Sequence, residues 1–256
     1  MTYVNGRWNM LAHAPRHGAG QQYGPPVTAR PLVRAGRRKT ARWARRAVTG
    51  PSQPTAITTA HACYRDLAEG VIWPHHVVLR WHLAGYLLPG VAVYRTLQTL
   101  GHAPTRAPQA VGDLLAHDAL PRRRRLQRTF HTRGSDPLLA AAVRLLSPIM
   151  FPAPGWRIAW LEVSRDRVAF DIDRCYYLAT LTTLDAAELL PHYCHVDDIL
   201  YDDLSPSIEW ARTGTLAAGC DRCDFRYQHT RPHPPTTAGR LPDPSTPRSA
   251  GAGAVR

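Results

Sequence analysis

The hydrophobic residues change their spacing about halfway along the chain. In the first half, Leu83, Leu87, Val91, Tyr94 and Leu97 follow one another at intervals of three or four residues, which places them on one face of an α-helix. In the second half, short runs rich in Val, Ile and aromatic residues alternate with polar residues, as in half-buried β-strands. Helices followed by strands predict an α+β fold, with N-terminal helices packed against a small antiparallel sheet formed by the C-terminal half.

The helical pattern is interrupted and then repeated. Pro89-Gly90 lies inside the first apolar face, so we expect the helix over 77–100 to kink or split there. A short apolar pattern around Val111 predicts a second helix. The run DPLLAAAVRLLSPIM (136–150) predicts a third, because it begins with an Asp-Pro pair that is typical of a helix N-terminus.

The second half predicts two antiparallel strand pairs. The segments RIAWLEV (157–163) and RVAFDID (167–173) are separated by three polar residues, which indicates a β-hairpin. The segments 208–216 and 222–228 predict the second pair. Between the two pairs, residues 175–194 predict two short helices.

Composition separates a central domain from two ends. Residues 1–56 are rich in Gly, Pro and Arg and lack aliphatic periodicity, so they are predicted to be a disordered basic leader; an upstream start codon is the alternative. Residues 230–256 are predicted to be a disordered Pro-rich tail. The α+β domain is therefore expected to span residues 57–229.

The charge of the chain raises the question of nucleic-acid binding, since the formal net charge is +13. Residues 1–55 carry ten basic side chains and no acidic ones, whereas residues 150–227 carry seven Arg and thirteen acidic side chains. Arg outnumbers Lys 31 to 1, a bias that GC-rich coding produces by itself. Nucleic acid is therefore not an expected partner, except for non-specific binding through the basic leader.

Two observations predict a cytoplasmic protein without a membrane partner. The longest apolar stretch contains Arg80, His82 and Arg95, which a membrane-spanning helix tolerates poorly. The N-terminus lacks the apolar segment of a signal peptide, and the five cysteines are an odd number. A reducing compartment with free thiols is the expected setting.

The cysteines allow several kinds of chemistry. Cys220 and Cys223 form a Cys-x-x-Cys motif, but a zinc site needs two further ligands, which Cys175 and Cys194 would have to supply. A thioredoxin-like pair would have to open a helix, whereas Cys223 begins a predicted strand. Small buried residues without reactivity are the remaining alternative.

Cys175 is the preferred candidate for a nucleophile. It opens a predicted helix and follows Arg174, and both the helix dipole and the cation would lower the pKa of its thiol. Cys194 lies three residues before Asp197, so a carboxylate is expected near this second thiol. Water activated by Asp197 is the alternative to a thiolate.

Three motifs in the second half together resemble a known family. They are Arg174-Cys175, Cys194 with Asp197, and the run RTGTLAAGCDRCDFR (212–226). In this order they resemble the signature of the L-2-amino-thiazoline-4-carboxylic acid hydrolase family. The resemblance covers about residues 70–228. One departure is Tyr176, which stands where the family usually has Pro.

The resemblance implies a hydrolase that opens a small cyclic amidine or thiazoline, or cleaves a related non-peptide C–N bond, and that uses no cofactor. The implied catalytic residues are Cys175, Cys194, Asp197 and Cys223, and the implied substrate-binding residues are Arg212, Asp224 and Arg226. Cys220 matches an unspecified position of the motif. A zinc ion held by Cys175, Cys194, Cys220 and Cys223 stays as an alternative, as does a non-catalytic relative with the same fold.

Overall fold

The computed structural model describes residues 24–130, 136–164 and 166–230, and the backbone of a short two-stranded ribbon, Tyr3–Val4 (β1) and Arg7–Trp8 (β2). The predicted Pro-rich tail beyond residue 230 and most of the first 23 residues lie outside the described residues. The expectation of disorder in those two segments stays a prediction.

Helices form the first part of the described chain. They are α1 (Arg30–Ala47), α2 (Gln53–Gly70), α3 (Val77–His82), a π-helical segment (Leu83–Leu87), α4 (Leu88–Thr99), α5 (Arg106–Phe130) and α6 (Asp136–Met150). The predicted interruption at Pro89-Gly90 is confirmed, because the π-helical segment ends just before Pro89. Residues 77–99 are long and apolar enough to cross a membrane, but 72% of their apolar window is buried inside the protein.

Helix α1 corrects the prediction that residues 1–56 form a disordered leader. The Trp43 side chain is fully buried, and its indole N–H donates to the Asp118 carboxylate on α5 at 3.1 Å. A Cβ atom at Gly36 would lie only 2.1 Å from the carbonyl oxygen of Ala84, so α1 approaches the π-helical segment closely. The prediction is wrong between residues 27 and 56, because this buried face uses small residues and one Trp in place of an aliphatic pattern.

The second half forms a four-stranded antiparallel sheet. Its strands are β3 (Arg157–Val163), β4 (Arg167–Arg174), β5 (Ile208–Ala211) and β6 (Cys223–His229), in the order β3-β4-β6-β5. Both predicted strand pairs are confirmed, although β5 ends at Ala211, earlier than expected. Together with the helices, the sheet confirms the α+β fold.

Two helices connect β4 to β5. They are α7 (Tyr176–Thr183) and α8 (Leu190–Tyr201). Helix α8 continues well beyond the predicted end at residue 194, and it packs against α5. This extension carries Asp197 and Asp198 on a helix that faces the sheet.

The described core consists of two hydrophobic clusters. One joins α1, α2, α4, α5, α7 and α8, and its buried residues are mostly Ala and Leu. The other covers one face of the sheet and is strongly aromatic; Phe170 of β4 and Phe225 of β6 stack with ring centroids 4.8 Å apart. Tyr177 and Cys175 contact the edge of the sheet cluster, where helices and sheet meet.

Candidate active site

A cavity of about 250 Å³ lies where the helices meet the sheet. Most of its lining side chains are aromatic or aliphatic, as is typical of a ligand site with a few placed polar groups. The lining side chains that can ionise are His82, Tyr86, Arg122, Cys175, Tyr177, Tyr193, Cys194, Asp197, Tyr201, Arg212, Cys223 and Tyr227.

Five of the seven predicted site residues line this one cavity: Cys175, Cys194, Asp197, Arg212 and Cys223. They meet because each stands at the end of an element or on the helix face that covers the sheet. Cys175 links β4 to α7, Arg212 follows β5, and Cys223 opens β6. Cys194 and Asp197 are three residues apart on α8, a spacing that places both on one side of the helix.

The other two predicted substrate-binding residues, Asp224 and Arg226, are not among the lining residues. Alternation along β6 turns Cys223 and Phe225 toward the cavity and the other two side chains to the opposite face of the sheet. There Arg226 donates to the Asp171 carboxylate at 2.7 Å. The expectation that Asp224 and Arg226 contact a ligand in this cavity is therefore not supported.

Arg212 is held almost completely by protein groups. Its guanidinium donates to Asp197 at 3.2 Å, to Asp198 at 2.7 Å and to the carbonyl oxygen of Cys194 at 2.9 Å, and its side chain is 4% exposed. Burial alone would lower the pKa of Arg212, but the two carboxylates outweigh burial and raise it. Arg212 therefore fixes the position of Asp197 and has little capacity left for a substrate carboxylate.

Asp197 is the group in the cavity whose ionisation falls in the neutral range. Burial raises its pKa to about 7; the Arg212 cation opposes this shift, and the neighbouring Asp198 adds to it. Its side chain keeps 23% of its surface accessible. A carboxyl group with this pKa exchanges protons readily at neutral pH, which suits a general base.

The three cavity cysteines have thiol pKa values above the usual range. Burial raises the pKa of Cys223 to about 11, although the backbone N–H of Leu216 donates to its sulfur at 3.2 Å. Burial also raises the pKa of Cys194, and the Asp197 carboxylate raises it further. All three thiols are therefore protonated at neutral pH.

The expected low pKa of Cys175 is not found. Burial raises its thiol pKa and outweighs the backbone N–H groups at the start of α7, which act in the opposite direction. Arg174 does not help, because its guanidinium is exposed and donates to the carbonyl oxygen of Ala153 at 2.6 Å. Sequence adjacency placed this cation beside the thiol, but strand alternation turns it away.

The zinc alternative would require Cys220 to join the other three cysteines. Cys220 is exposed and does not line the cavity. Among the residues that the structure describes, no group of three or more His, Cys, Asp or Glu side chains is arranged to hold a metal ion. The geometry therefore gives the zinc alternative no support.

Two cavity residues were missed by the sequence analysis. The ring Nδ1 of His82 lies 2.6 Å from the Tyr177 hydroxyl, and Nε2 lies 2.9 Å from the carbonyl oxygen of Met150. Nε2 must donate to that carbonyl, so Nδ1 accepts from Tyr177; burial lowers the pKa of His82 to about 4 and keeps it neutral. Arg122 also lines the cavity, and the sequence showed it only as the first of four consecutive arginines.

The fold and the cavity define an α+β protein with a buried, ionisable carboxyl group in an aromatic pocket. The model of the L-2-amino-thiazoline-4-carboxylic acid hydrolase family matches residues 82–227, which is more than half of the chain, and the chain belongs to this family. A search of curated proteins found no match, and neither did a search of solved structures.

Proposed function

We propose that the protein is a hydrolase that adds water to a small cyclic amidine or thiazoline, with Asp197 as the general base. The observation that carries this proposal is the Asp197 carboxyl group, which has a pKa of about 7 and is fixed by Arg212 in an apolar cavity. Family membership supports the hydrolytic reaction and the thiazoline substrate class.

The proposed reaction consumes one water molecule. Asp197 accepts a proton from this water while the water oxygen bonds to the ring carbon that lies between nitrogen and sulfur. Asp197 passes this proton to the ring nitrogen, and the carbon becomes tetrahedral. When the C–S bond breaks, the hydroxyl oxygen becomes a carbonyl oxygen and its proton passes through Asp197 to the leaving sulfur. Asp197 is thereby regenerated, and the product is the ring-opened substrate plus one water.

Attack by water agrees with the cavity better than attack by a thiolate. A thiolate nucleophile is normally produced by a lowered thiol pKa or by an adjacent base. Here the pKa values of Cys175, Cys194 and Cys223 are all raised, whereas Asp197 is close to neutrality. The preferred nucleophile therefore changes from Cys175 to water, and the thiols serve as neutral lining groups.

The test is hydrolysis of L-2-amino-thiazoline-4-carboxylic acid by the purified protein, followed through the thiol that appears when the C–S bond breaks. Asp197→Asn should lower kcat by about a hundredfold to ten-thousandfold, the usual contribution of a general base. Asp221→Asn removes an exposed carboxylate outside the cavity, and it should retain turnover within about threefold.

Circular dichroism of each variant separates lost chemistry from lost folding. Wild-type protein that releases no thiol from this substrate or from related cyclic amidines would refute the proposed function. Full turnover by a folded Asp197→Asn protein would leave the hydrolase activity in place and remove Asp197 as its base.

A further inference from the structure

The cavity contains a cation that has no carboxylate partner among the side chains that the structure describes. Arg122 lies on α5 and lines the cavity, and its guanidinium carbon is 5.0 Å from the centroid of the Tyr86 ring. Its neighbour Arg123 pairs with Asp203 at 3.4 Å, but among the side chains that the structure describes, in residues 24–130, 140–164 and 166–230, no carboxylate is paired with Arg122 within 4.0 Å.

The charges around this cation favour an anion at Arg122 and not elsewhere in the cavity. Arg212 is neutralised by Asp197 and Asp198, so this group of three carries a net negative charge when both carboxylates are ionised. Lys39, near Arg122, is already paired with Asp118 at 3.4 Å. An anionic ligand is therefore attracted to Arg122 and repelled from the Arg212 group.

The walls near this cation are aromatic. Trp81 packs against Tyr86 with ring centroids 5.5 Å apart, and Trp156 packs against His82 at 5.1 Å and against Phe151 at 5.3 Å. These rings offer flat apolar surfaces and few hydrogen-bonding atoms. A cavity of about 150 Å³ holds a benzene ring, so a cavity of the present size holds roughly ten non-hydrogen atoms.

The Tyr177 side chain is near both the Arg122 cation and the proposed base, Asp197. It lies within electrostatic range of Arg122 and also of Asp197 and Cys175. Arg122 and Asp197 line the same cavity, so a ligand that fills it with an anionic group at Arg122 would have its body between the aromatic walls and share the cavity with Asp197.

We propose that Arg122 binds the carboxylate of the ligand and that the cavity selects monocarboxylates whose body is a flat, apolar ring. Under the hydrolase proposal, on which the catalytic consequence rests, cyclic substrates with an aryl or alkyl substituent would be accepted as well as the 2-amino compound. Ligand binding itself does not depend on turnover, so it can be tested separately.

The probe is phenylacetate, which has ten non-hydrogen atoms, and its neutral control is phenylacetamide. Binding is measured by calorimetry and by the fluorescence of the cavity tryptophans, Trp81 and Trp156. Phenylacetate should bind about tenfold to a hundredfold more tightly than phenylacetamide, as a charge-assisted hydrogen bond provides. Arg122→Gln should remove this difference by weakening phenylacetate alone.

The matched control is Arg124→Gln, because Arg124 lies on the same helix, is exposed and carries the same charge. It should leave both affinities unchanged. Equal weakening by both variants would overturn the proposal, since it would indicate general surface charge, and so would an Arg122→Gln protein that binds phenylacetate normally.

The outcomes also separate this inference from the proposed function. Turnover of the thiazoline without Arg122-dependent binding of phenylacetate would overturn the inference and leave the hydrolase standing. Arg122-dependent binding without turnover of any cyclic amidine would support the inference and refute the proposed hydrolase function.

Discussion

Strand β6 places Cys223 and Phe225 against the cavity and places Asp224 and Arg226 on the opposite face of the sheet. All four residues belong to one continuous run of the family motif. On the cavity face of β6, burial raises the pKa values of Cys223 and Tyr227, so both side chains stay neutral. On the outer face, hydrogen bonds from Gly214 and Thr213 outweigh burial and lower the pKa of Asp224, and Arg226 is paired with Asp171.

The outer face supports the cavity face through the backbone. The Asp224 carboxylate accepts from the N–H of Gly214 at 2.6 Å, and from the N–H and the hydroxyl of Thr213 at 3.0 Å and 2.7 Å. The loop held in this way continues to Leu216, whose N–H donates to the Cys223 sulfur. The outer half of the motif therefore shapes the wall of a site that it does not contact.

The largest expected effect is the pH dependence of turnover, which depends on the cavity face. The ionised form of Asp197 is the base, so kcat/KM should be half-maximal at about pH 7, the pKa of this group, level off at higher pH and fall as pH decreases. The fall should approach tenfold per pH unit, or roughly a hundredfold at pH 5. Steady-state rates between pH 5 and 9 measure it.

Asp224→Asn should retain this profile, because Asp224 is outside the cavity. An activity that instead rises only above pH 8 would assign the titration to a thiol.

The raised pKa of Asp197 affects stability in the opposite direction from activity. The protonated Asp197 contributes to the free energy of unfolding most strongly below the unfolded-state pKa of 3.8, and this contribution is lost as pH rises through about 7.

The second largest expected effect is a loss of stability when the ion pair between Asp171 and Arg226 on the outer face of the sheet is broken. Asp171 is 6% exposed and is paired with Arg226 at 2.7 Å and with Arg222 at 3.4 Å. Arg226→Gln would leave a buried carboxylate with the weaker partner alone, and should lower the free energy of unfolding by about 2 kcal/mol, less than for a fully unpaired charge. Urea denaturation measures this change.

Turnover per folded molecule should stay within about threefold of the wild type in Arg226→Gln. Arg157→Gln is the control, because Arg157 pairs with Asp173 on the exposed surface, and it should leave the free energy of unfolding unchanged. A stable Arg226→Gln protein without activity would restore the original expectation that Arg226 contacts the substrate.

The sequence predicted those parts of the fold in which one face is periodic. The predicted helix over 136–150 matches α6, and both strand pairs were found because apolar and polar residues alternate along them. Helix α1 was missed because its buried face consists of Gly36, Lys39, Thr40, Trp43 and Ala44. Such a face is created by close packing against other helices, which leaves no simple apolar repeat.

The candidate site was predictable only as far as motif spacing allows. Spacing identified five lining residues, but it treated Asp224 and Arg226 as part of the same pocket although strand alternation separates them from Cys223. Arg122 was not predicted, because four consecutive arginines look alike until tertiary packing turns one of them inward. The pKa values were not predictable, since burial outweighs charges that are adjacent in sequence.

A smaller stability effect is expected for Asp224→Asn. Burial alone would raise the pKa of Asp224, but the N–H groups of Gly214 and Thr213 and the Thr213 hydroxyl hold it below the usual value. An amide keeps only one of the two acceptor oxygens, so the free energy of unfolding should fall by about 1 kcal/mol at neutral pH.

The effect of Asp224→Asn should shrink in acid. The wild-type stabilisation is present above the unfolded-state pKa and is lost as pH falls through the depressed folded value, whereas the amide does not titrate. Urea denaturation at pH 7 and at pH 3 compares the two conditions. Asp221→Asn, in the exposed bend just before β6, is the control and should leave the free energy of unfolding unchanged at both pH values. An equal loss at both pH values would show that the Asp224 charge is not what holds the loop.

The smallest expected effect comes from the cavity thiols. Because burial keeps the Cys175 and Cys223 thiols protonated, a serine hydroxyl replaces one neutral group by another of similar shape. Cys175→Ser and Cys223→Ser should each keep turnover within about tenfold of the wild type, with a stability loss of about 1 kcal/mol for the more polar hydroxyl. Cys220→Ser, outside the cavity, should change neither quantity. If a folded Cys175→Ser protein instead loses turnover by several orders of magnitude, as removal of a covalent step requires, the nucleophile is the thiol and Asp197 is the base that activates it.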